Sequence, residues 1–321
     1  MTAEQETTAP PGHGVSPAKA PKVVILGGAG GVGASTAFNL MRMRAGHEIV
    51  VVDNRPKMVT SHLMDFDQVL DQSPGCRVRG GEPGEVADAD VVVMIWGTPL
   101  TPDTPRLEYL ARNARIADTL AEALPGGWGG TLLVGTNPVD PLVTRLQRRT
   151  GLDRRRVLGY TLNDSLRLRT GYRLALGAAP GSVEAWVLGE HGERAVPLHS
   201  RVSVGGVPWS PAPADAAAAE RYFRTWYDTH VALDSGRSST WTSGVGLARM
   251  VSALSGEGEL WPASAVLQGE YGIEGVAITV PVTLGRGGAV RIHEWDLEPE
   301  ELEALRAAAE FVRGVTASVA S

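Results

Sequence analysis

The chain has 321 residues, of which 43% are hydrophobic and 21% are charged, and its formal net charge is −6. These values are typical of a globular protein with two domains that share a cleft. The sequence contains neither a long block of Lys and Arg nor an apolar run of about 18 residues. We therefore expect no nucleic-acid partner and no insertion into a membrane.

The cysteine content and the N-terminal segment narrow the class of protein further. Cys76 is the only cysteine, which excludes an intramolecular disulfide and a multi-cysteine zinc site, and we expect no metal. A single thiol fits a reducing, cytoplasmic compartment. Residues 1–20 mix Thr, Ala, Pro, Gly and Glu without a basic start or an apolar core, so they differ from a secretory signal. We predict a disordered tail there.

A βαβ unit is predicted directly after this tail. Residues 23–26 form a β-branched apolar run that is typical of a strand buried on both faces. Residues 34–44 have helical spacing, and residues 48–53 form a second apolar strand that ends at Asp53. A glycine-rich turn separates the first strand from the helix. Its cofactor-binding candidates are Gly28, Gly30, Gly31, Val32 and Gly33.

This glycine-rich turn has the spacing of a dinucleotide site. Gly28 permits the tight turn, Gly30 lets the backbone approach a pyrophosphate, and Gly33 lets the helix pack against the strand. The N–H groups at the start of the helix would face the phosphates. Asp53 can accept hydrogen bonds from a ribose hydroxyl and would repel a 2′-phosphate, so NAD is favoured over NADP, although Arg55 tempers this choice. The alternative is a glycine turn that binds no ligand.

Alternating strands and helices continue to about residue 158. Strands are predicted over 89–96 and 131–138, and helices over 107–124 and 140–149. Such alternation favours a parallel sheet of the Rossmann type, with ligands at the carboxyl ends of the strands. Gly97 and Asn137 follow two of these strands. The predicted fold is α/β, with a doubly wound dinucleotide-binding domain over 21–158.

The remaining residues, 159–321, are predicted to form a mixed α+β substrate domain. Its helices are expected over 164–176, 213–226, 239–255 and 299–319, and its strands over 183–188, 201–207, 263–268 and 275–284.

Three side chains suggest the chemistry of hydride transfer to a carbonyl beside a carboxylate. His191 lies between two glycines after an apolar strand, and an imidazole suits proton donation near neutral pH. Asp164 could orient that imidazole. Arg167, three residues later on the same helix face, could bind a substrate carboxylate through its planar fork. The alternatives are a turn histidine and an ordinary helical ion pair.

The chain resembles the lactate/malate dehydrogenase family. The matching segments are 28–33, Asp53, Arg106 with Arg112 and Asn113, 135–138, 164–167, 189–192 and 269–273. The resemblance implies that His191 is the acid/base catalyst with Asp164 as its partner, and that Arg167 anchors the substrate carboxylate. It implies that Arg106 polarises the carbonyl from a closing loop, and that Asn113 and Asn137 contact cofactor or substrate. It also implies a homodimer or a homotetramer.

The sequence departs from this family in the substrate-specificity loop. In this family one position of the loop selects the substrate: malate enzymes have arginine there, and lactate enzymes have glutamine. The corresponding residue of this sequence is Leu100. Leucine cannot pair with a second carboxylate, and a carboxylate buried without a partner is costly. We therefore predict an L-2-hydroxy acid other than malate. Asn163 replaces a usually apolar residue, and Ser239 is expected on the pocket wall.

Several alternatives stay open on the sequence alone. They are a malate dehydrogenase, a diverged dehydrogenase that acts on another carboxylate-bearing carbonyl, an NAD-dependent glycosidase that shares this fold, and a binding protein that has lost activity.

Overall fold

The computed structural model describes residues 20–72, 74–98, 106–235, 238–256 and 258–318. Six strands of the first half form a parallel sheet: β1 (Lys22–Leu26), β2 (Glu48–Val52), β3 (Arg77–Gly80), β4 (Val91–Met94), β5 (Thr131–Val134) and β6 (Val157–Tyr160). Their spatial order is β3-β2-β1-β4-β5-β6. This order is the doubly wound arrangement of dinucleotide-binding folds, which confirms the predicted fold class.

Helices cover both faces of this sheet: α1 (Gly31–Met43), α2 (Pro56–Gln72), α3 (Arg106–Ala123) and α4 (Val139–Thr150). The central strands are fully buried, and their side chains pack into two separate apolar cores, one on each face of the sheet. That double burial explains why β1 reads as a continuous apolar run instead of an alternating one.

Three elements of the first half were not predicted. Helix α2 buries only Val59 and Phe66, so its apolar stripe is too narrow to stand out among the polar residues around it. Strand β3 is a short edge strand with two arginines, and β6 has four residues. Strand β4 is also shorter than the predicted 89–96. Short strands give too few residues for a periodic signal.

The sheet continues without a break into the second half. Strand β6 pairs in parallel with β5 and antiparallel with the strand at 259–268. The further strands are β7 (Val183–Gly189), β8 (Ala195–Val204), β9 (Val207–Trp209), β10 (Glu259–Gln268), β11 (Glu274–Gly285) and β12 (Gly288–Ile292). All twelve belong to one sheet. Because β6 is bonded to both halves, the division at residues 158 and 159 stays a prediction.

The predicted single strand over 201–207 is wrong. Strand β8 ends at Val204, and the chain turns through Gly205 and Gly206 into β9. Both glycines have positive φ, +60° and +80°, as the tight turn of a hairpin with right-handed twist requires.

The helices of the second half are α5 (Leu162–Leu176), α6 (Pro213–Ala232), α7 (Thr240–Ala253) and α8 (Pro299–Ala317). Helix α6 runs six residues beyond its predicted end at Trp226. Helix α8 begins with Pro299 after Glu298, which forms a capping box with Glu301. None of the helices in the described ranges is long and apolar enough to cross a membrane.

Candidate active site

His191 is held at the end of β7 by contacts from two helices. Gly189 precedes it with φ +85°, and a Cβ at that position would lie 2.9 Å from a backbone oxygen, so the turn requires glycine. The backbone N–H of His191 donates to Oδ2 of Asp140, on α4, at 2.7 Å. Its ring Nδ1 donates to Oδ2 of Asp164, on α5, at 2.5 Å. The ring thereby keeps Nε2 for another partner.

Asp164 connects the histidine to Arg167. Its second oxygen, Oδ1, accepts from Nη1 of Arg167 at 3.2 Å. Nη2 of the same guanidinium donates to Oγ of Ser239, immediately before α7, at 3.1 Å. The ring of Trp226, on α6, lies 4.1 Å from the guanidinium carbon. One face of the guanidinium is thus covered by an indole, as in a cation–π contact.

The electrostatics of this cluster favour a charged histidine. Burial lowers the pKa of His191, but the charge and the hydrogen bond of Asp164 outweigh burial and raise the pKa above its ordinary 6.5. Burial also lowers the pKa of Arg167, although a guanidinium remains protonated at neutral pH. The protonated His191 and Arg167 are the cations of this cluster, and they suit an anionic substrate.

The glycine-rich turn follows β1 and opens α1. A Cβ at Gly28 would lie 2.6 Å from Val51, and one at Gly33 would lie 2.3 Å from the carbonyl oxygen of Gly27. The structure therefore uses both glycines for close packing. Gly30, the residue before α1, makes no side-chain cap, and the first turn has no acidic residue. Free N–H groups at this helix end fit the pyrophosphate of a dinucleotide.

The remaining cofactor-binding candidates of this region, Gly31, Val32 and Asp53, lie close to the turn. Val32 is half-buried, and Gly31 faces Thr240, because a Cβ there would lie 3.0 Å from its Oγ1. Asp53 directly follows β2, and one of its oxygens accepts from the backbone N–H of Ala29 at 3.1 Å. The acid is thereby fixed beside the turn, as a ribose ligand would have to be.

Asn113 links the loops that follow β4 and β5. It is fully buried, its Oδ1 accepts from the N–H of Thr98 at 2.8 Å, and its Nδ2 donates to the carbonyl of Asn137 at 2.7 Å. A Cβ at Gly97 would lie 2.7 Å from Thr136, so these loops are closely packed. Asn113 positions this region from inside the protein, and its direct contact with a cofactor stays a prediction.

Comparison with known proteins identifies the fold and its chemistry. Residues 21–159 match the model of the lactate/malate dehydrogenase NAD-binding domain, and residues 161–318 match that of the α/β C-terminal domain of the same family. The chain belongs to the lactate/malate dehydrogenase family. It is an NAD-linked 2-hydroxy acid dehydrogenase, an enzyme that acts on a CH–OH group with NAD as cofactor. A binding protein without activity and an NAD-dependent glycosidase are set aside.

Individual members of the family show the extent of the similarity. The chain is 33% identical over 308 residues to L-lactate dehydrogenase 1 of Staphylococcus aureus (strain bovine RF122 / ET3-1). The matched region covers 93% of this chain and 97% of that protein. The ligand-bound minor L-lactate dehydrogenase of Enterococcus mundtii superposes with a TM-score of 0.86 at 26% identity, covering 94% and 99% of the two chains. The malate dehydrogenase of Aeropyrum pernix gives 0.84 at 28% identity, covering 92% and 97%.

Part of the predicted site of this dehydrogenase falls outside the described residues. Leu100 lies there with the rest of residues 99–105, and so does the predicted tail up to residue 19. Arg106 begins α3, but its side chain is also outside the described atoms. Among the residues that the structure does describe, no group of three or more His, Cys, Asp and Glu side chains is placed to hold a metal.

Asn163, the polar departure from the family, has hydrogen-bond partners at both ends of its amide. Its Oδ1 accepts from the hydroxyl of Tyr160 at 2.8 Å, and its Nδ2 donates to Ser243 at 2.9 Å. The amide joins β6, α5 and α7 immediately beside Asp164. Both ends of this buried amide are satisfied, as is usual for buried polar groups.

Asp140 is a site residue that sequence reasoning missed. Its side chain is buried, and its Oδ2 accepts from the backbone N–H of His191. Burial raises its pKa to about 7, and its charge contributes to the raised pKa of His191. The available signal was an acid three residues after Asn137, at the start of a helix that follows a strand end.

Proposed function

We propose that this enzyme interconverts a 2-oxo acid and its L-2-hydroxy acid, with a side chain other than that of malate. The observation that supports this most is the sharing of Asp164 between His191 and Arg167. The proposed proton donor, His191, and the proposed carboxylate anchor, Arg167, are thus hydrogen-bonded to the two oxygens of one side chain. A substrate with a carbonyl next to its carboxylate can reach both groups at once.

In the proposed reaction the substrate carboxylate binds Arg167, whose planar fork favours two parallel hydrogen bonds. The carbonyl oxygen then faces Nε2 of His191, which donates a proton as the alkoxide forms. Asp164 stabilises the imidazolium before transfer and fixes the ring orientation. Bound NADH supplies the hydride. Arg106 is assigned the polarisation of the carbonyl.

The cofactor would be held by the first half of the chain. We assign the pyrophosphate to the turn at 28–33 and the adenosine ribose to Asp53. Gly97 and Asn137, which follow β4 and β5, are assigned to the nicotinamide end. Asn113 supports these loops from beneath, and Ser239 holds Arg167.

The substrate side chain is proposed to be apolar. Leu100 offers no charge, and Trp226 brings an indole against Arg167. Tyr227 and Tyr222 lie near enough to influence the pKa of Arg167. A second carboxylate in these surroundings would lose hydration without gaining a partner, whereas an apolar group would gain free energy from burial.

The test is NADH oxidation by the purified enzyme against oxaloacetate, pyruvate and 2-oxo acids with branched or aromatic side chains. We expect kcat/KM for an apolar substrate to exceed that for oxaloacetate. Leu100→Arg should raise oxaloacetate activity, because it supplies the missing cation. A wild-type preference for oxaloacetate would contradict the proposal.

Malate dehydrogenase is the second candidate, because the Aeropyrum pernix enzyme of that name has a similar structure. It predicts the opposite ranking in the same assay. Under this alternative another cation would pair with the second carboxylate, and Leu100→Arg would leave oxaloacetate turnover unchanged.

A homodimer is proposed as the minimal assembly, and a homotetramer remains compatible with the family. Trp241 and Val245 on α7 are 66% and 44% exposed, and together with Leu162 and Leu166 on α5 they line a shallow apolar groove. Apolar patches of this kind mark protein contacts. We place the enzyme in the cytoplasm, where the reduced thiol of Cys76 would persist.

A further inference from the structure

The carboxylate of Asp53 has no free acceptor position in this structure. Its Oδ1 accepts from the backbone N–H and the Nε of Arg55, at 3.1 and 2.9 Å. Its Oδ2 accepts from the N–H of Ala29 and from Nη2 of Arg55, both at 3.1 Å. An ionised carboxylate offers about four lone-pair positions, and four donors occupy them.

Arg55 also covers part of the glycine-rich turn. Its Nη2 lies 3.7 Å from the position that a Cβ would take at Gly30, the residue where a pyrophosphate would approach the backbone. The guanidinium therefore stands between the ribose acceptor and the phosphate turn. Ribose hydroxyls can bond to Asp53 only when the side chain of Arg55 moves aside.

That movement exchanges the two side-chain hydrogen bonds of Arg55 for hydrogen bonds from the ribose. The side chain of Arg55 is 53% exposed, whereas that of Asp53 is 5% exposed. The exposed guanidinium is hydrated when it leaves, the ribose hydroxyls would replace it on the buried carboxylate, and the N–H groups of Ala29 and of Arg55 itself continue to hold the acid in place. Because its backbone stays tethered two residues from Asp53, the released guanidinium remains beside the ribose.

We propose that Arg55 competes with the ribose of NAD for Asp53 and, once displaced, binds a 2′-phosphate, so that the site accepts NADP as a second, weaker cofactor. A 2′-phosphate near Asp53 alone would be repelled. Arginine offsets this repulsion with a fork that matches phosphate geometry. The same side chain thus weakens NAD binding and permits NADP binding, which predicts opposite effects of its removal on the two cofactors.

The experiment is calorimetric titration of the full chain with NADH and with NADPH, without substrate. For Arg55→Ala we expect the NADH Kd to fall about threefold, since the competitor is gone. We expect the NADPH Kd to rise about tenfold or more, since the phosphate loses its charged partner. Arg55→Lys retains the charge without the fork, so its NADPH Kd should lie between those of wild type and Arg55→Ala.

Lys57→Ala is the matched control, because it removes one exposed positive charge two residues away. It should change both affinities by less than about twofold, as expected for a screened surface charge. Weaker NADH binding by Arg55→Ala, an unchanged NADPH affinity, or no NADPH binding by the wild type would each overturn the proposal. The titrations need no 2-oxo acid, so they stand apart from any failure of the proposed substrate class.

Discussion

Asp164 gives one oxygen to His191 and the other to Arg167, and its charge has a different effect on each partner. It raises the pKa of the histidine and so favours the protonated imidazolium, the proposed proton donor. For the arginine it opposes the cost of burial. Removing this one charge should therefore affect both proton transfer and substrate binding.

The pH dependence of Asp164→Asn tests this role. Reduction requires the imidazolium, so wild-type reduction should decline as the pH rises through the raised pKa of His191. In Asp164→Asn the pKa loses its main cause of elevation, so the decline should move to lower pH, and kcat should fall about a hundredfold or more. The measurement is kcat against pH, with NADH affinity as the control that should stay unchanged. An unshifted profile would contradict the role of Asp164.

Trp226 fixes the plane of Arg167, and its substitution should alter substrate binding more than turnover. A cation–π contact of this kind contributes about 1 kcal/mol, so Trp226→Ala should raise the KM of the 2-oxo acid about fivefold. Trp226→Phe keeps an aromatic face and should lie near the wild type. Steady-state kinetics of the two variants decide the matter, and equal KM values for Trp226→Ala and wild type would exclude the positioning role.

Contacts within one element were predictable from the sequence, whereas most contacts between elements were not; the pairing of His191 with Asp164 is an exception that the chemistry of the two side chains indicated. Asp164 and Arg167 lie one helical turn apart, so their pairing follows from helix geometry alone. The bond between His191 and Asp140 spans 51 positions, and that between Arg167 and Ser239 spans 72. Trp226 read as an ordinary helix residue, because no local pattern indicates that α6 crosses the site.

At the scale of elements, the crossing of α1 and α7 brings the cofactor and substrate regions together. A Cβ at Gly244 would lie 2.1 Å from Oγ of Ser35 and 2.9 Å from its carbonyl carbon. The backbones of the two helices therefore approach too closely for any side chain at this point. Helix α1 opens at the dinucleotide turn and α7 begins directly after Ser239, so their distance sets the spacing of the two subsites.

Gly244→Ala should therefore destabilise the protein, by about 1–3 kcal/mol, because the added methyl group forces α1 and α7 apart. Gly314→Ala is the matched control, since Gly314 is exposed on α8 with no atom within 4 Å of an added Cβ. It should stabilise by about 0.5–1 kcal/mol through helix propensity. Urea unfolding of both variants measures the two changes in the free energy of unfolding. An unchanged free energy of unfolding for Gly244→Ala would mean that the helices can separate freely.

At the scale of the whole molecule, the apolar groove is formed by α5, which carries Arg167, and by α7, which begins directly after Ser239. Placing a charge there should dissociate the proposed dimer. Trp241→Glu should shift the mass in light scattering from two chains to one, because the new carboxylate would be desolvated at the interface and Arg249, which lines the groove, is already paired with Glu259 at 2.7 Å.

Val290→Glu is the control for this measurement, because Val290 is 57% exposed on β12 and lies outside the groove. It should leave the mass unchanged. A monomeric wild type, or a Trp241→Glu variant that keeps the wild-type mass, would move the interface elsewhere.

The paired contacts of Asp164 also bear on stereochemistry. A 2-oxo acid has a flat, prochiral carbonyl whose two faces differ only in their direction of approach. In the proposed site the carboxylate is on Arg167 and the oxygen is on His191. These two points still let the molecule turn over about the line that joins them, until a third contact, with its side chain, fixes it. Once the side chain is held as well, NADH bound at the glycine-rich turn would meet only one face of the carbonyl. The handedness of the product would thus follow from Arg167, His191 and the position of the side-chain pocket together.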